Sequence, residues 1–179
     1  MKKLIVLILV FVMTFACKED EAPVEMLSPG LFVHDEALNG DLGDDFNAPT
    51  VLPFVFGQNE VIAFQSQSDV DYFTFTVPEN TELSQIILDE YQSSDDAGFI
   101  GIVRGSSFPN NAQSTGSGDL LGGLVYGLSN RGTNMINLIG ALSGAEGFAG
   151  SLQAGTYSVW LNQTGDDSEV SLRFVITEK

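Results

Sequence analysis

Alternation at every second residue constrains this chain more than any other feature. In the stretch 71–77, Phe73, Phe75 and Val77 fall on one face while Tyr72, Thr74 and Thr76 fall on the other. Successive side chains of a strand point to opposite faces, so this pattern predicts a strand with one buried side. Pro78-Glu79-Asn80 is expected to stop it. The stretch 156–161 repeats the pattern with Tyr157, Val159 and Leu161 inward, and Val170, Leu172, Phe174 and Ile176 repeat it again. Gly165-Asp166-Asp167-Ser168 predicts a hairpin turn between those two strands. Further strands are expected at residues 53–56, 60–64, 84–91 and 99–103. About seven short strands separated by turn residues predict an all-β, jelly-roll-like antiparallel sandwich rather than parallel βαβ units.

The middle of the chain breaks the pattern. Fourteen of the 19 glycines lie between Gly98 and Gly155. Within that stretch Asp119 and Thr133 are candidate helix caps, and Met135, Ile136, Leu138, Ile139 and Leu142 follow helical spacing. One or two short helices are therefore expected in a glycine-rich central insertion, with Gly122, Gly123 and Gly140 weakening them.

The N-terminus predicts export. Lys2 and Lys3 precede an uncharged run, 4–15, and then Ala16 and Cys17, the chain's only cysteine. A basic start, an apolar stretch and a small residue before a cut site make a secretory signal. The run is too short for a bilayer core, which needs about 20 apolar residues. The expected organisation is a signal peptide at 1–16, an acidic tether at 17–38 and one sandwich domain at 39–179, its regular strands beginning near Val51. Losing Lys2 and Lys3 takes the formal charge from −17 to −19. Such a surface repels nucleic acid, whose phosphates need clustered Lys and Arg. With a single cysteine no intramolecular disulfide forms, so the core must suffice alone. A domain of about 150 residues buries enough surface for that.

Ala16-Cys17 resembles the cleavage junction of a bacterial lipoprotein signal, which implies a lipid on Cys17, a membrane partner through that lipid, and placement in the cell envelope as an outer-membrane lipoprotein. The acids at 19–21 resemble the export signal of surface lipoproteins in Bacteroidota-type bacteria; a solvated linker is the equal alternative. The segment 68–78 (SDVDYFTFTVP) and the segment 152–161 (LQAGTYSVWL) together resemble the bacterial pre-peptidase C-terminal domain, with Gly40-Asp41-Leu42, Ala48-Pro49-Thr50 and Gly98-Phe99-Ile100-Gly101-Ile102 matching one of its subgroups. The matches span roughly residues 39–177. The resemblance implies a jelly-roll-like sandwich serving as an accessory module beside secreted hydrolases, with contacts to extracellular glycan or protein.

Catalysis finds little support. His34 is the only histidine, no G-x-S-x-G elbow accompanies it, and it is expected on the surface. His34 and Cys17 supply too few ligands for catalytic zinc. The acid pairs Asp89-Glu90, Asp95-Asp96 and Asp166-Asp167 read as solvated turns. The chain is therefore expected not to be an enzyme and to require no cofactor. Calcium is the one ion its acids invite: Asp41, Asp44 and Asp45 crowd one loop, and Asp69 and Asp71 another. Calcium takes about 6 to 8 oxygen ligands, which two such loops can supply together. Turn chemistry is the alternative, because Asp hydrogen-bonds its own backbone in turns. Trp160 lies opposite the inward residues of its strand, either as a stacking platform for a sugar ring or packed beneath the glycine-rich middle, the reading its need for cover favours.

Overall fold

The computed structural model describes residues 28–67 and 69–179. Cys17, the signal at 1–16 and the acids at 19–21 lie outside them. The strands are β1 (Gly30–Asp35), β2 (Thr50–Val51), β3 (Gly57–Gln65), β4 (Val70–Gln92), β5 (Gly98–Arg104), β6 (Gly122–Tyr126), β7 (Leu152–Gln163) and β8 (Ser168–Glu178). Two short helices, α1 (Glu36–Asn39) and α2 (Ile136–Gly140), complete the elements with two 3₁₀ turns. The fold is all-β, jelly-roll-like and largely antiparallel. Its strands run β1-β3-β8-β4-β7-β5-β6, with β2 parallel to β4 and β1 parallel to β3.

One strand makes this sheet into a sandwich. The first part of β4 pairs with β7 and the second with β8, with the register broken between Val77 and Glu82. Pro78-Glu79-Asn80 therefore bends the strand instead of stopping it. Asn80 takes a φ of 63° and the Thr81 hydroxyl donates to the Pro78 carbonyl at 2.8 Å, which turns the chain from one layer into the other. β7 and β8 consequently lie in opposite layers, separated by β4. The turn at 164–167 crosses the end of the sandwich and is no hairpin, a correction to the sequence expectation.

The inward faces are those the alternation marks. Phe73 and Phe75 on one layer meet Phe174 on the other, ring centroids 5.8 Å apart in both cases, and Phe54 stacks on Phe75 at 4.5 Å. Phe73, Phe75, Val159, Leu161, Leu172 and Phe174 are each at most 1 % exposed. Tyr157 enters the same core while its hydroxyl donates to the Gln153 carbonyl at 2.8 Å, so its polar end is satisfied at the layer's rim. Gly155, at a φ of 150°, turns the backbone just ahead of it.

Four local expectations give way to tertiary contacts. Residues 53–56 form no strand: Phe54 spends its side chain on the aromatic core while β2 stops at Val51. The segment after Asp119 is strand β6, and Asp119 itself accepts from the Gly116 amide inside a 3₁₀ turn. The second helix is capped two residues later than Thr133, at Met135; Asn134 Oδ1 accepts from the Ile136 amide, and Thr133 donates back to Asn130. Gly122 lets that helix close on β6 and Gly140 lets the following loop fold back on it, since a Cβ at Gly122 would stand 2.5 Å from the Ile139 carbonyl and one at Gly140 2.1 Å from that of Phe148. Finally, regular structure starts before Val51: β1 pairs in register with β3 from Gly30 to Asp35.

Candidate functional site: an acidic centre at one end of the sandwich

The acids converge because three segments end at the same rim. β1 delivers the chain into α1, where Asp35 Oδ1 accepts from the Ala37 amide at 3.0 Å and caps the helix. Glu36, the next residue, is locked on both oxygens: Oε1 accepts from the Leu42 amide at 3.0 Å and Oε2 from the Phe64 amide at 2.7 Å. This fastens α1 to β3. Leu42, fully buried, then pins the following loop in the core, and the Tyr72 amide donates to the Gly43 carbonyl at 2.9 Å, laying that loop along the start of β4.

Two groups of carboxylates result, each with ligand oxygens within 4.8 Å of one another. One is Glu36, Asp41 and Asp71; the other is Asp41, Asp44 and Asp69. Asp41 belongs to both. The first group lies toward the interior, with Asp71 fully buried and Glu36 half-buried; in the second, Asp41 and Asp44 are exposed and Asp69 is half-buried.

Asp71 carries the electrostatic tension. Among the described residues its Oδ1 has no hydrogen-bond partner, and its Oδ2 has only the Gln65 amide, at 3.4 Å. Burial pushes its carboxyl up to about 9, and the neighbouring charges of Glu36, Asp69 and Asp41 push the same way against the weak help from Gln65. Glu36 and Asp69 are also raised, chiefly by burial, with Asp41 adding repulsion to both. A buried carboxylate lacking partners is costly unless protonated or paired with a cation. Oxygen-only donors of this kind suit a hard cation such as calcium.

Of the five aspartates expected from the sequence, the structure gathers Asp41, Asp44, Asp69 and Asp71. Asp45 stands apart as a turn residue, its Oδ1 accepting from the Asn47 amide at 2.8 Å. Glu36 was not foreseen: it belongs to the centre only because β1 is a strand, which brings it against β3.

On the outer face of β4 a cleft of about 210 Å³ adjoins this centre, lined by Asp44, Val70, Tyr72, Asn111, Ala112 and Gln113. Tyr72 is 1 % exposed, and the Ala112 backbone is a hydrogen-bonding neighbour of its enclosed hydroxyl.

Trp160 and His34 lie elsewhere in the sheet. Trp160 is 8 % exposed, with Phe99 edge-on at 4.8 Å, Phe108 edge-on at 6.4 Å and Tyr72 stacked at 6.3 Å. It thus packs between β4 and the glycine-rich middle, the favoured of its two readings, and also lines a cleft of about 190 Å³ with Phe99 and Val125. His34, expected on the surface, is instead buried in β1, with Nε2 unpartnered among the described residues, and burial lowers its pKa. The acid pairs have structural occupations: Asp89 holds Arg173 through two bonds of 2.7 and 2.8 Å, Glu90 pairs with Arg131 at 2.6 Å, Asp95 accepts from the Asp166 amide and Asp96 from the Leu128 amide.

No family model matches this chain, and no curated protein matches it in sequence.

Proposed function

We propose that this chain is a non-catalytic, calcium-stabilised β-sandwich module, exported and held in the cell envelope by a lipid on Cys17, that binds extracellular carbohydrate. The observation that supports it best is the Asp71 carboxylate: fully buried, half unpartnered, and within ligand distance of Glu36 and Asp41. A structural calcium ion offsets the repulsion among these acids and ties α1, the loop after it and β4 together at one rim. The segments that resemble the pre-peptidase C-terminal domain agree with an accessory role beside separate secreted hydrolases. The acidic surface agrees with a neutral ligand and disfavours nucleic acid.

Thermal unfolding of the metal-stripped protein, with calcium and with a chelator, tests the cation. Saturating calcium at about 100 times its Kd adds about 2.7 kcal/mol. For a domain of this size that raises Tm by roughly 5–10 °C. Superimposable transitions in calcium and chelator end the reading. A display module that contacts a protein partner without any cation is then the alternative.

A further inference from the structure

The cleft of about 190 Å³ beside Trp160 opens on the outer face of β5, β6 and β7, opposite the core residues Ile100 and Leu161. Sheet register builds it. Val125, Phe99 and Asn162 stand side by side on β6, β5 and β7, and two residues along stand Gly123, Gly101 and Trp160. The glycines make room for the Phe99 ring: a Cβ at Gly101 would stand 3.0 Å from it, and one at Gly123 3.2 Å. Trp160, almost wholly buried, backs the ring edge-on. The Phe99 ring is thus fixed by the sheet beneath and the indole beside it, yet it stays half-buried, and its neighbour Val125 is 63 % exposed.

One donor in this cleft is unspent. Asn162 lies mid-sheet, its backbone paired with Val70 on one side and Phe99 on the other, so the area it exposes belongs to its side chain. Oδ1 is enclosed, which leaves Nδ2 as the accessible polar atom, and among the described residues this amide makes no hydrogen bond. An occupant must therefore offer an acceptor to Nδ2 and an apolar face to a ring. A purely apolar group would seal the amide from water without a partner, which costs its full desolvation. No charged residue lines the cleft, and the chain's charge of −17 disfavours anions. At about 190 Å³ it is smaller than the roughly 300–1,000 Å³ of pockets that enclose drug-sized ligands, which suits a single ring.

We infer that this cleft is a subsite for a neutral β-glucoside, one pyranose ring lying against Phe99 and Val125 while one of its oxygens accepts from Asn162 Nδ2. The hydroxyls of a β-glucoside are equatorial, so its ring faces present axial C–H bonds, and such a face packs on the negative face of an aromatic ring. This rests on the carbohydrate part of the proposed function and assigns the class of sugar and the place where it binds. No acid lines the cleft, so the subsite does not require the acidic centre.

The test is a fluorescence titration of the full chain on phosphatidylcholine vesicles in calcium, with methyl β-glucoside and with cellobiose. Trp160 is the only tryptophan and stands against Phe99, so filling the cleft changes its emission. A saturable change is expected with both glucosides. Asn162→Leu keeps the size of the side chain and removes the donor; it is expected to weaken both about tenfold. Val125→Arg, at an exposed position, lays a long side chain across the ring and is expected to abolish binding with melting little changed. No saturable response to either glucoside overturns this inference and leaves the calcium reading, tested by melting, untouched. Glucosides that bind both variants as tightly as the original sit elsewhere, which overturns this subsite and leaves the carbohydrate reading standing. Binding that Val125→Arg removes and Asn162→Leu strengthens marks a purely apolar contact and likewise overturns the assignment.

Discussion

Gln65 Nε2 donates to Asp71 Oδ2 at 3.4 Å, and on its other side Gln65 Oε1 accepts the Tyr126 hydroxyl, also at 3.4 Å. All three residues are buried, so the amide links an acid at the rim to the core between the layers. At that length it contributes little to holding a negative charge. Among the described residues it is the only hydrogen bond to the carboxylate, and it leaves Asp71 to be neutralised by a proton or by a cation. The two alternatives have opposite consequences for stability.

Replacing Asp71 with Asn removes the buried charge while keeping its shape. In chelator at pH 7, Asp71→Asn is expected to melt a few degrees above the unmodified protein, because the buried acid must take up a proton to fold at that pH while the amide is already neutral. In calcium the order reverses, since the variant lacks an inner ligand. Paired melting curves read both effects.

Without calcium, stability should fall as pH rises. The folded-state pKa of Asp71, about 9, lies above its ordinary 3.8, so the folded state holds this proton more tightly than the unfolded chain. That stabilisation is complete below about pH 4, erodes as pH climbs, and is gone above about pH 9. The raised values of Glu36 and Asp69 act in the same direction. Melting in chelator from pH 5 to pH 9 should show a decline of more than about 5 °C from these groups. Calcium should remove or invert it, because metal binding favours the ionised acids.

Cation binding should also hold the N-terminal strand. Glu36 follows β1 directly, and among the described residues β1 is an edge strand with β3 as its only neighbour in the sheet. Stripping calcium is expected to speed amide hydrogen exchange across residues 30–42 by about tenfold or more, with β7 and β8 little changed. Equal exchange in both states would separate the acidic centre from this strand.

Trp160→Ala should cost stability and not a ligand contact. The indole is enclosed by Tyr72, Phe99 and Phe108, and truncating a buried Trp costs about 3–5 kcal/mol. The expected loss is about 10 °C in Tm. The same substitution at Phe174, which touches Phe54, Phe73 and Phe75, should cost a similar amount. A Trp160→Ala protein that melts like the original would mean that the glycine-rich middle does not rest on this side chain.

The central elements were legible because they rest on local patterns. Alternation at 71–77, 156–161 and 170–176 identified strands and their inward faces, and two facing layers are the economical way to bury such faces. Pro78-Glu79-Asn80 was correctly read as an interruption and misread as an end. A bend between layers and a stop share the same residues, and only the pairing of both halves of β4 separates them. β1 was missed because Gly30–Asp35 mixes glycine, histidine and acid with three apolar residues, and a parallel edge strand owes its stability to its neighbour.

The acidic centre divides in the same way. Four of its five residues were visible as crowded aspartates, since ligand supply is a property of composition and spacing. Glu36 was not visible, because its membership depends on amides at Leu42 and Phe64, the latter 28 residues away. The sequence by itself determined which side chains face inward and which acids were available. The tertiary structure decided that His34 is covered, that Asp45 stands aside, and that the Asp71 carboxyl lies where water cannot reach. Burial and distance arise only when β1, β3 and β4 end at one rim, and no local pattern along the chain encodes that meeting.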